Sequence, residues 1–161
     1  MTIVDGGPAT RCPSAQPGMA DAEILGVVGR EEGEPRVEYV NGHMPATADV
    51  LGLAAPLPPT EVFRLSAHCE ERRCTHFDGE RCQLAVRIVD MLPEVTAWLP
   101  PCNIRRTCRW YAQEGRAACL RCPQVVTSNG AASDLIARVA GAGQAGEPAP
   151  AAEAVPGAGG G

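Results

Sequence analysis

Seven of the eight cysteines of this 161-residue chain lie between His68 and Pro123, together with two of its three histidines. Thiolate sulfur and imidazole nitrogen are ligands that zinc and iron prefer in proteins. The first residues, MTIVDGGPAT, have neither the basic stretch nor the apolar stretch of an export signal, and cytoplasmic cysteines stay reduced. The composition therefore predicts a cytoplasmic protein whose cysteines bind metal.

The last four of these cysteines follow the spacing C-x5-C-x10-C-x2-C. Four thiolates are the number that a closed tetrahedral site or a cluster requires. Five of the chain's arginines lie among them, and guanidinium groups suit the negative charge that thiolates leave around a metal. We predict that this group binds a metal cofactor through Cys102, Cys108, Cys119 and Cys122.

An earlier group follows the spacing C-x4-C-x-H-x5-C. It supplies three cysteines, and its fourth ligand would be His76 or His68. His76 is the better candidate, because it lies between two of the cysteines, whereas His68 belongs to a predicted strand. We predict a second metal site formed by Cys69, Cys74, His76 and Cys82.

The spacing leaves the identity of the metal open. An iron–sulfur cluster is favoured by four thiolates at irregular spacing and by the Cys-x-x-Cys-Pro run that ends at Pro123. Zinc is favoured by the division into one all-thiolate group and one group of three thiolates and an imidazole, although zinc ribbons usually have two Cys-x-x-Cys pairs. A dithiol oxidoreductase built on Cys119 and Cys122 would lack its usual βαβ context, and a disulfide scaffold would need an export signal. We predict an iron–sulfur cluster, with zinc as the alternative.

Charge is distributed unevenly along a chain whose net charge is -5. Residues 1–61 have three arginines and nine acidic residues, whereas residues 62–138 have eleven arginines and eight acidic residues. The resulting excess of three positive charges in the second part is small for a surface that binds nucleic acid. No apolar run approaches the length of a membrane span. We expect a protein partner that handles electrons or clusters, and neither nucleic acid nor a membrane.

Composition divides the chain into a folded unit and two disordered ends. Residues 1–21 are predicted to be a disordered leader, and residues 141–161 a disordered tail of Gly, Ala and Pro, because neither can bury enough apolar surface. The predicted folded unit is a cysteine-rich metal-binding domain over residues 22–140, with its ligands at 68–123. Cys12 lies in the predicted leader, and we interpret it as an incidental free thiol.

Short strands and helices must position these ligands. Runs of β-branched residues predict a hairpin over residues 23–29 and 36–40, and the alternation in EVFRLSAHC predicts a strand over residues 61–69. Helical periodicity predicts a helix over residues 82–92. A second helix is predicted over residues 103–113, with an asparagine as its N-cap.

These elements predict an α+β fold: a small metal-stapled domain with a short antiparallel sheet and two or three helices, between disordered ends. The third helix would begin after Ser133. The chain has only two Trp, two Tyr and two Phe, so its core is thin. Small domains with thin cores usually need a metal or a disulfide to be stable.

A resemblance supports the metal assignment. The run CTHFDGERCQLAVRIVDMLPEV…LPPCNIRRTCRWYAQEGRAACLRCPQVVT, over residues 74–127, resembles a group of short cysteine-rich bacterial proteins, some of them associated with nitrogen-fixing bacteria. The resemblance implies an iron–sulfur centre and brings no established activity with it.

The motifs of common catalytic sites are missing from the sequence: it has no Gly-rich phosphate loop, no nucleophile elbow and no His-Glu-x-x-His helix. We therefore predict no catalytic residues and expect a non-enzymatic protein. The predicted function is that of a cytoplasmic iron–sulfur protein in electron transfer, redox sensing or cluster handling. The alternative is a zinc-stapled interaction module whose arginine-bearing surface docks an acidic protein or nucleic acid.

Overall fold

The computed structural model describes residues 10–127 and 134–141. Within these ranges the chain forms a small α+β domain around a four-stranded antiparallel sheet with the strand order β1-β4-β2-β3. The strands are β1 (Arg11–Cys12), β2 (Glu23–Glu31), β3 (Glu34–Tyr39) and β4 (Phe63–His68). The predicted mixture of a short antiparallel sheet and helices is confirmed.

Strands β2 and β3 form the predicted hairpin. Their register runs from Gly26 opposite Tyr39 to Glu31 opposite Glu34. The two residues of the turn, Glu32 and Gly33, have φ angles of 52° and 86°. Two consecutive positive φ values are typical of the tight turns whose twist matches that of a hairpin.

Strand β4 lies inside the sheet and is buried on both faces. Its alternate residues point to opposite sides, as in any strand. Phe63, Leu65 and Ala67 pack in an apolar cluster with Ile24. Arg64 on the other face reaches toward the helices and the cysteines. The sheet therefore separates a small apolar layer from the layer that contains most of the cysteines.

Helices are short, and the cysteines stand at their ends. The described residues contain α1 (Ala48–Gly52), α2 (Pro59–Val62), α3 (Gln83–Met91), α4 (Arg109–Glu114), α5 (Arg116–Cys119) and α6 (Asp134–Gly141), and three single 3-10 turns, Glu71–Arg73, Arg105–Thr107 and Cys122–Gln124. Helix α3 agrees with the predicted helix, and its buried residues Leu84, Ala85 and Ile88 form the predicted apolar face. The predicted N-cap of the last helix, Ser133, lies outside the described residues.

The second predicted helix, over residues 103–113, is interrupted. It is replaced by the 3-10 turn Arg105–Thr107 and helix α4, with Cys108 between them in an extended conformation. Cys108 is the N-cap of α4 and also forms a β-bridge with Arg11. An unbroken helix would remove both the cap and the bridge. The contacts of Cys108 therefore replace the continuous helix that the local sequence favours.

The predicted disordered leader does not hold for residues 10–21. Strand β1 pairs with β4, with Arg11 opposite His68 and Cys12 opposite Ala67, and Ala15 is fully buried. Strand β1 thus covers the edge of β4. The composition of residues 10–21 did not indicate this pairing. Residues 1–9 of the predicted leader and residues 142–161 of the predicted tail lie outside the described residues.

Gly26 tests the packing of β2 against β3 within the hairpin. A Cβ atom at this position would lie 2.6 Å from Cγ1 of Val37 and 2.7 Å from the carbonyl oxygen of Glu38. We expect Gly26→Ala to lower the free energy of unfolding by about 1–3 kcal/mol, because the clash involves backbone. Urea unfolding measures the change.

Gly29→Ala is the matched control in the same strand. A Cβ atom there meets only the carbonyl oxygen of Arg36, at 3.7 Å, which is ordinary van der Waals contact. We expect it to be nearly neutral. Equal stability of the two variants would contradict the packing described for Gly26.

Candidate metal centres

The fold gathers the eight cysteines into two groups of four, each lining its own cavity. The first site is formed by Cys12, Cys69, Cys74 and Cys82. The second site is formed by Cys102, Cys108, Cys119 and Cys122. All eight cysteines are free thiols. The predicted grouping of the last four cysteines is therefore matched by their positions in the structure.

Strand pairing and helix ends position the first site. Cys12 ends β1, and Cys69 directly follows β4. The N–H group of Cys69 donates a hydrogen bond to the carbonyl oxygen of Thr10 at 2.9 Å. Cys74 ends the 3-10 turn Glu71–Arg73, and Cys82 is the N-cap of α3. Four separate elements thus converge on one cavity.

The structure brings a fourth cysteine to this site, and His76, the predicted fourth ligand, stays a prediction. Cys12, interpreted as incidental, lines the cavity together with the three predicted cysteines, while His76 lies on the cavity wall with its Nδ1 atom 2.9 Å from a guanidinium nitrogen of Arg87. Burial and, after it, the charge of Arg87 lower the pKa of His76. The other candidate, His68, is exposed. The signal for Cys12 is a repeated tripeptide, Arg-Cys-Pro, at residues 11–13 and 121–123.

The cavity of the first site has a volume of about 280 Å³. One water molecule needs only about 10–15 Å³ by the same kind of measure, so the cysteines stand around a void with room for a polyatomic group. Among the described residues, no group of three or more His, Cys, Asp or Glu side chains has the arrangement that would hold a single metal ion. The first site is thus wide, with its sulfurs on the walls.

The second site is small and apolar. Cys108 and Cys119 come from the start of α4 and the end of α5, and Cys122 begins a 3-10 turn. The void has a volume of about 20 Å³. Its remaining walls are mostly apolar and aromatic, and include Leu25, Tyr39, Trp110, Tyr111 and Ala118.

A fully buried arginine contacts the second site. Arg64 donates hydrogen bonds to the carbonyl oxygens of Pro13, Cys122 and Val125 at 2.5, 2.9 and 2.7 Å, and to Sγ of Cys122 at 3.0 Å. Its guanidinium carbon lies 5.2 Å from the centre of the Trp110 ring. No carboxylate of the described residues forms an ion pair with it. Burial alone would lower the pKa of Arg64, but the neighbouring sulfur of Cys122 and the Tyr39 oxygen raise it, and the net direction is upward.

Every cysteine sulfur has an N–H donor beside it. Two accept a bond from a backbone N–H group two residues later, Cys12 from Ser14 and Cys74 from His76, each at 3.4 Å. Backbone N–H groups also act on Cys82, Cys102 and Cys108. Arginines supply the donors for the other three, namely Arg109 beside Cys69, Arg105 beside Cys119 and Arg64 beside Cys122. Such donors stabilise sulfur as a thiolate.

Burial opposes the stabilisation of the thiolates, because it disfavours the charged form of each sulfur. It raises the pKa of Cys12 and of Cys108 to about 12, and it raises the pKa of Cys82, Cys102 and Cys119 as well. These thiols therefore keep their protons at neutral pH. A metal that bound them as thiolates would release those protons.

Three buried polar groups on the walls of the two sites lack a hydrogen-bond partner within the described part of the chain. They are the Tyr39 hydroxyl and the Nε–H group of Arg105, at the second site, and the Nε–H group of Arg109, at the first. Native proteins satisfy nearly all buried donors. The walls of both sites thus offer donors for an acceptor that a sulfide-bearing group would supply.

Comparisons with known proteins found no match for this chain among protein-family models, curated proteins or solved structures. The resemblance to cysteine-rich bacterial proteins stays a prediction. In the part of the chain that the structure describes, no helix has the length and apolar character needed to cross a membrane.

Asp21 fastens the two strands that carry Cys12 and Cys69. Its carboxylate accepts the His68 N–H group at 3.0 and 3.2 Å and a guanidinium N–H of Arg11 at 3.0 Å. These contacts, that of His68 first, lower the pKa of Asp21. Its folded pKa is below the unfolded value of about 3.9. The resulting stability is present above that value and is lost as the pH falls through the lower, folded pKa.

We expect Asp21→Asn to lower the thermal midpoint at pH 7, and the difference from the unsubstituted protein to vanish once the pH has fallen below the folded pKa. Thermal unfolding over a pH series measures this. Glu32→Gln, at an exposed turn residue, is the control and should change the midpoint little. A difference that persisted unchanged at low pH would contradict the assignment.

Proposed function

We propose that this chain is an iron–sulfur protein with one cluster in each tetracysteine site, acting in electron transfer, redox sensing or cluster handling. The observation that carries the proposal is the convergence of all eight cysteines, from the first described strand to the last 3-10 turn, into two groups of four that each line a cavity. Four cysteine thiolates are the usual ligand set of an iron–sulfur cluster.

The width of the first site supports a cluster over a single ion. A tetrahedral zinc ion requires four sulfurs within about 2.3 Å of one point. A four-iron cluster binds each thiolate at a different iron, so its cysteines stand apart around the cluster. A cavity of about 280 Å³ with cysteines on its walls fits the second arrangement.

The N–H groups beside the sulfurs give independent support. Thiolates and bridging sulfides give a cluster negative charge, and hydrogen bonds to its sulfurs set its potential. The backbone donors at five cysteines and the arginines at the other three supply such contacts at every cysteine. The unpartnered donors of Tyr39, Arg105 and Arg109 would meet the inorganic sulfides.

The location and partner follow from this chemistry. Eight free thiols suit a reducing compartment, so we assign the protein to the cytoplasm. The partner in our proposal is a protein that exchanges electrons or clusters with it, and neither nucleic acid nor a membrane.

The alternative function is that of a zinc-stapled interaction module, and one observation favours it. The void of the second site, about 20 Å³, is small. A single zinc ion held by Cys102, Cys108, Cys119 and Cys122 would need less rearrangement there than a cluster would. The surface arginines would then dock an acidic protein or nucleic acid.

Anaerobic purification followed by elemental analysis separates the two functions. The proposal predicts a brown protein that contains iron and acid-labile sulfide in equal amounts at both sites. A colourless protein with stoichiometric zinc and no iron would contradict it and would support the interaction module.

The ligand assignment of the first site has its own test. We expect Cys12→Ser to lose about half of the bound iron and sulfide, because the first cluster loses a thiolate while the second site is unchanged. His76→Ala removes the ligand predicted from sequence and is the matched control, which should keep all of its iron. Iron per folded chain is the measurement. Loss of iron in the histidine variant with full retention in the serine variant would overturn the assignment.

A further inference from the structure

An exposed tryptophan lies on a loop beside the second site. The loop covers residues 93–101, between α3 and the 3-10 turn Arg105–Thr107. Trp98 is 76% exposed, although tryptophan is on average a highly buried residue, and the chain's other tryptophan, Trp110, is 2% exposed. Pro100, two residues further on in the loop, lines the cavity of the second site. The indole of Trp98 is therefore presented to solvent close to that cavity.

The loop is held in place by hydrogen bonds. Three of its carbonyl oxygens accept side-chain donors from elsewhere in the chain, which are Gln124 to Pro93 at 2.7 Å, Arg116 to Ala97 at 2.9 Å, and Arg105 to Pro100. The Thr96 hydroxyl accepts the N–H group of Trp98 at 3.3 Å and donates to its carbonyl oxygen at 3.2 Å. A side chain on a fixed backbone loses little conformational entropy when it binds. Trp98 is therefore preorganised for contact with another molecule.

The charges beside the indole are positive. Arg116 and Arg105, whose guanidinium groups hold the loop next to Trp98, form no ion pair with a carboxylate of the described residues. The acidic residue within the loop, Glu94, has its charge balanced by Arg121 at 3.7 Å. Trp98, Arg105 and Arg116 together form what we call the Trp98 surface. It combines one exposed indole with two cations that have no carboxylate partner in the described part of the chain.

One further acidic residue borders the loop, at its start. Glu34, near the tip of the hairpin, lines a cavity together with Pro93 and Val95, and Trp98 does not border that cavity. Opposite charges are thus separated along the loop, with acidic residues at its start and arginines at its end. A molecule that binds the Trp98 surface would meet the arginines.

We propose that the Trp98 surface is the docking site of a partner protein, which meets it with an acidic segment and an apolar side chain that packs on the indole. Tryptophan and arginine are enriched among the residues that contribute most to binding at protein–protein interfaces. Carboxylates of the partner would form charge-assisted hydrogen bonds with the guanidinium groups. The inference rests on the proposed function for the nature of the partner: an acidic carrier of electrons or clusters docked here would lie next to the second site.

The surface suits a protein better than a nucleic acid. One indole offers one stacking position, whereas proteins that bind single strands stack successive bases. Nucleic acid is a polyanion that continues past any one contact, and the acidic residues at the start of the loop would repel it. A short acidic segment of a protein needs only the arginines and the indole.

The experiment is photo-cross-linking of the full chain in the organism that encodes it, with p-benzoylphenylalanine in place of Ala97. This alanine is exposed and adjacent to Trp98, which stays intact. The same cross-linker in place of Ala48, an exposed alanine of α1, is the matched control. We expect a protein cross-linked at position 97 in much higher yield than at position 48. The cross-linked peptide, identified by mass spectrometry, should have more Asp and Glu than Lys and Arg.

Substitutions in the chain that has the cross-linker at position 97 test the surface itself. Trp98→Ala removes the indole and Arg116→Glu reverses a charge, and each should lower the yield about tenfold, which corresponds to the loss of one strong interface contact. Arg116→Lys keeps the charge and should retain most of the yield. If Arg116→Glu fails to fold, Trp98→Ala decides, because the exposed indole contributes little to the thermal midpoint.

Four results would overturn the inference: a cross-link to nucleic acid, one to a second copy of this chain, one to a basic peptide, or no cross-link above that at position 48. An unchanged yield in Trp98→Ala would also overturn it. An acidic cross-linked partner of a protein that lacks iron and sulfide would instead overturn the proposed function alone and would favour the interaction module.

Discussion

The contact between the Arg64 guanidinium and the Cys122 sulfur is the interaction on which the rest of the structure depends. A buried charge costs several kcal/mol unless it is paired and hydrogen-bonded. Arg64 meets this cost through one sulfur, three carbonyl oxygens and the face of an indole. These partners come from the leader segment, from α4 and from the turn at Cys122–Gln124, so all of them must be in place around β4 at once. One side chain thus connects the sheet to the cysteine layer.

Under the proposed function, metal binding and folding would be coupled through the same contact. A neutral Cys122 thiol would leave Arg64 buried without an anionic partner among the described residues. A cation bound by deprotonated thiols would restore that partner. The free energy of metal binding would then be part of the free energy of folding, as in other small domains with thin cores.

Local patterns in the sequence predicted most strands and helices. The features that depend on pairing between distant parts of the chain were not predicted. The hairpin, β4 and α3 followed from period-two and helical periodicity, which depend on neighbouring residues. The leader did not, because β1 is two residues long and its partner, β4, lies more than fifty residues away in sequence. The place of Cys12 beside the other cysteines of the first cavity was missed for that reason. The helix break at Cys108 was also missed, since it serves a bridge to Arg11 that no local pattern contains.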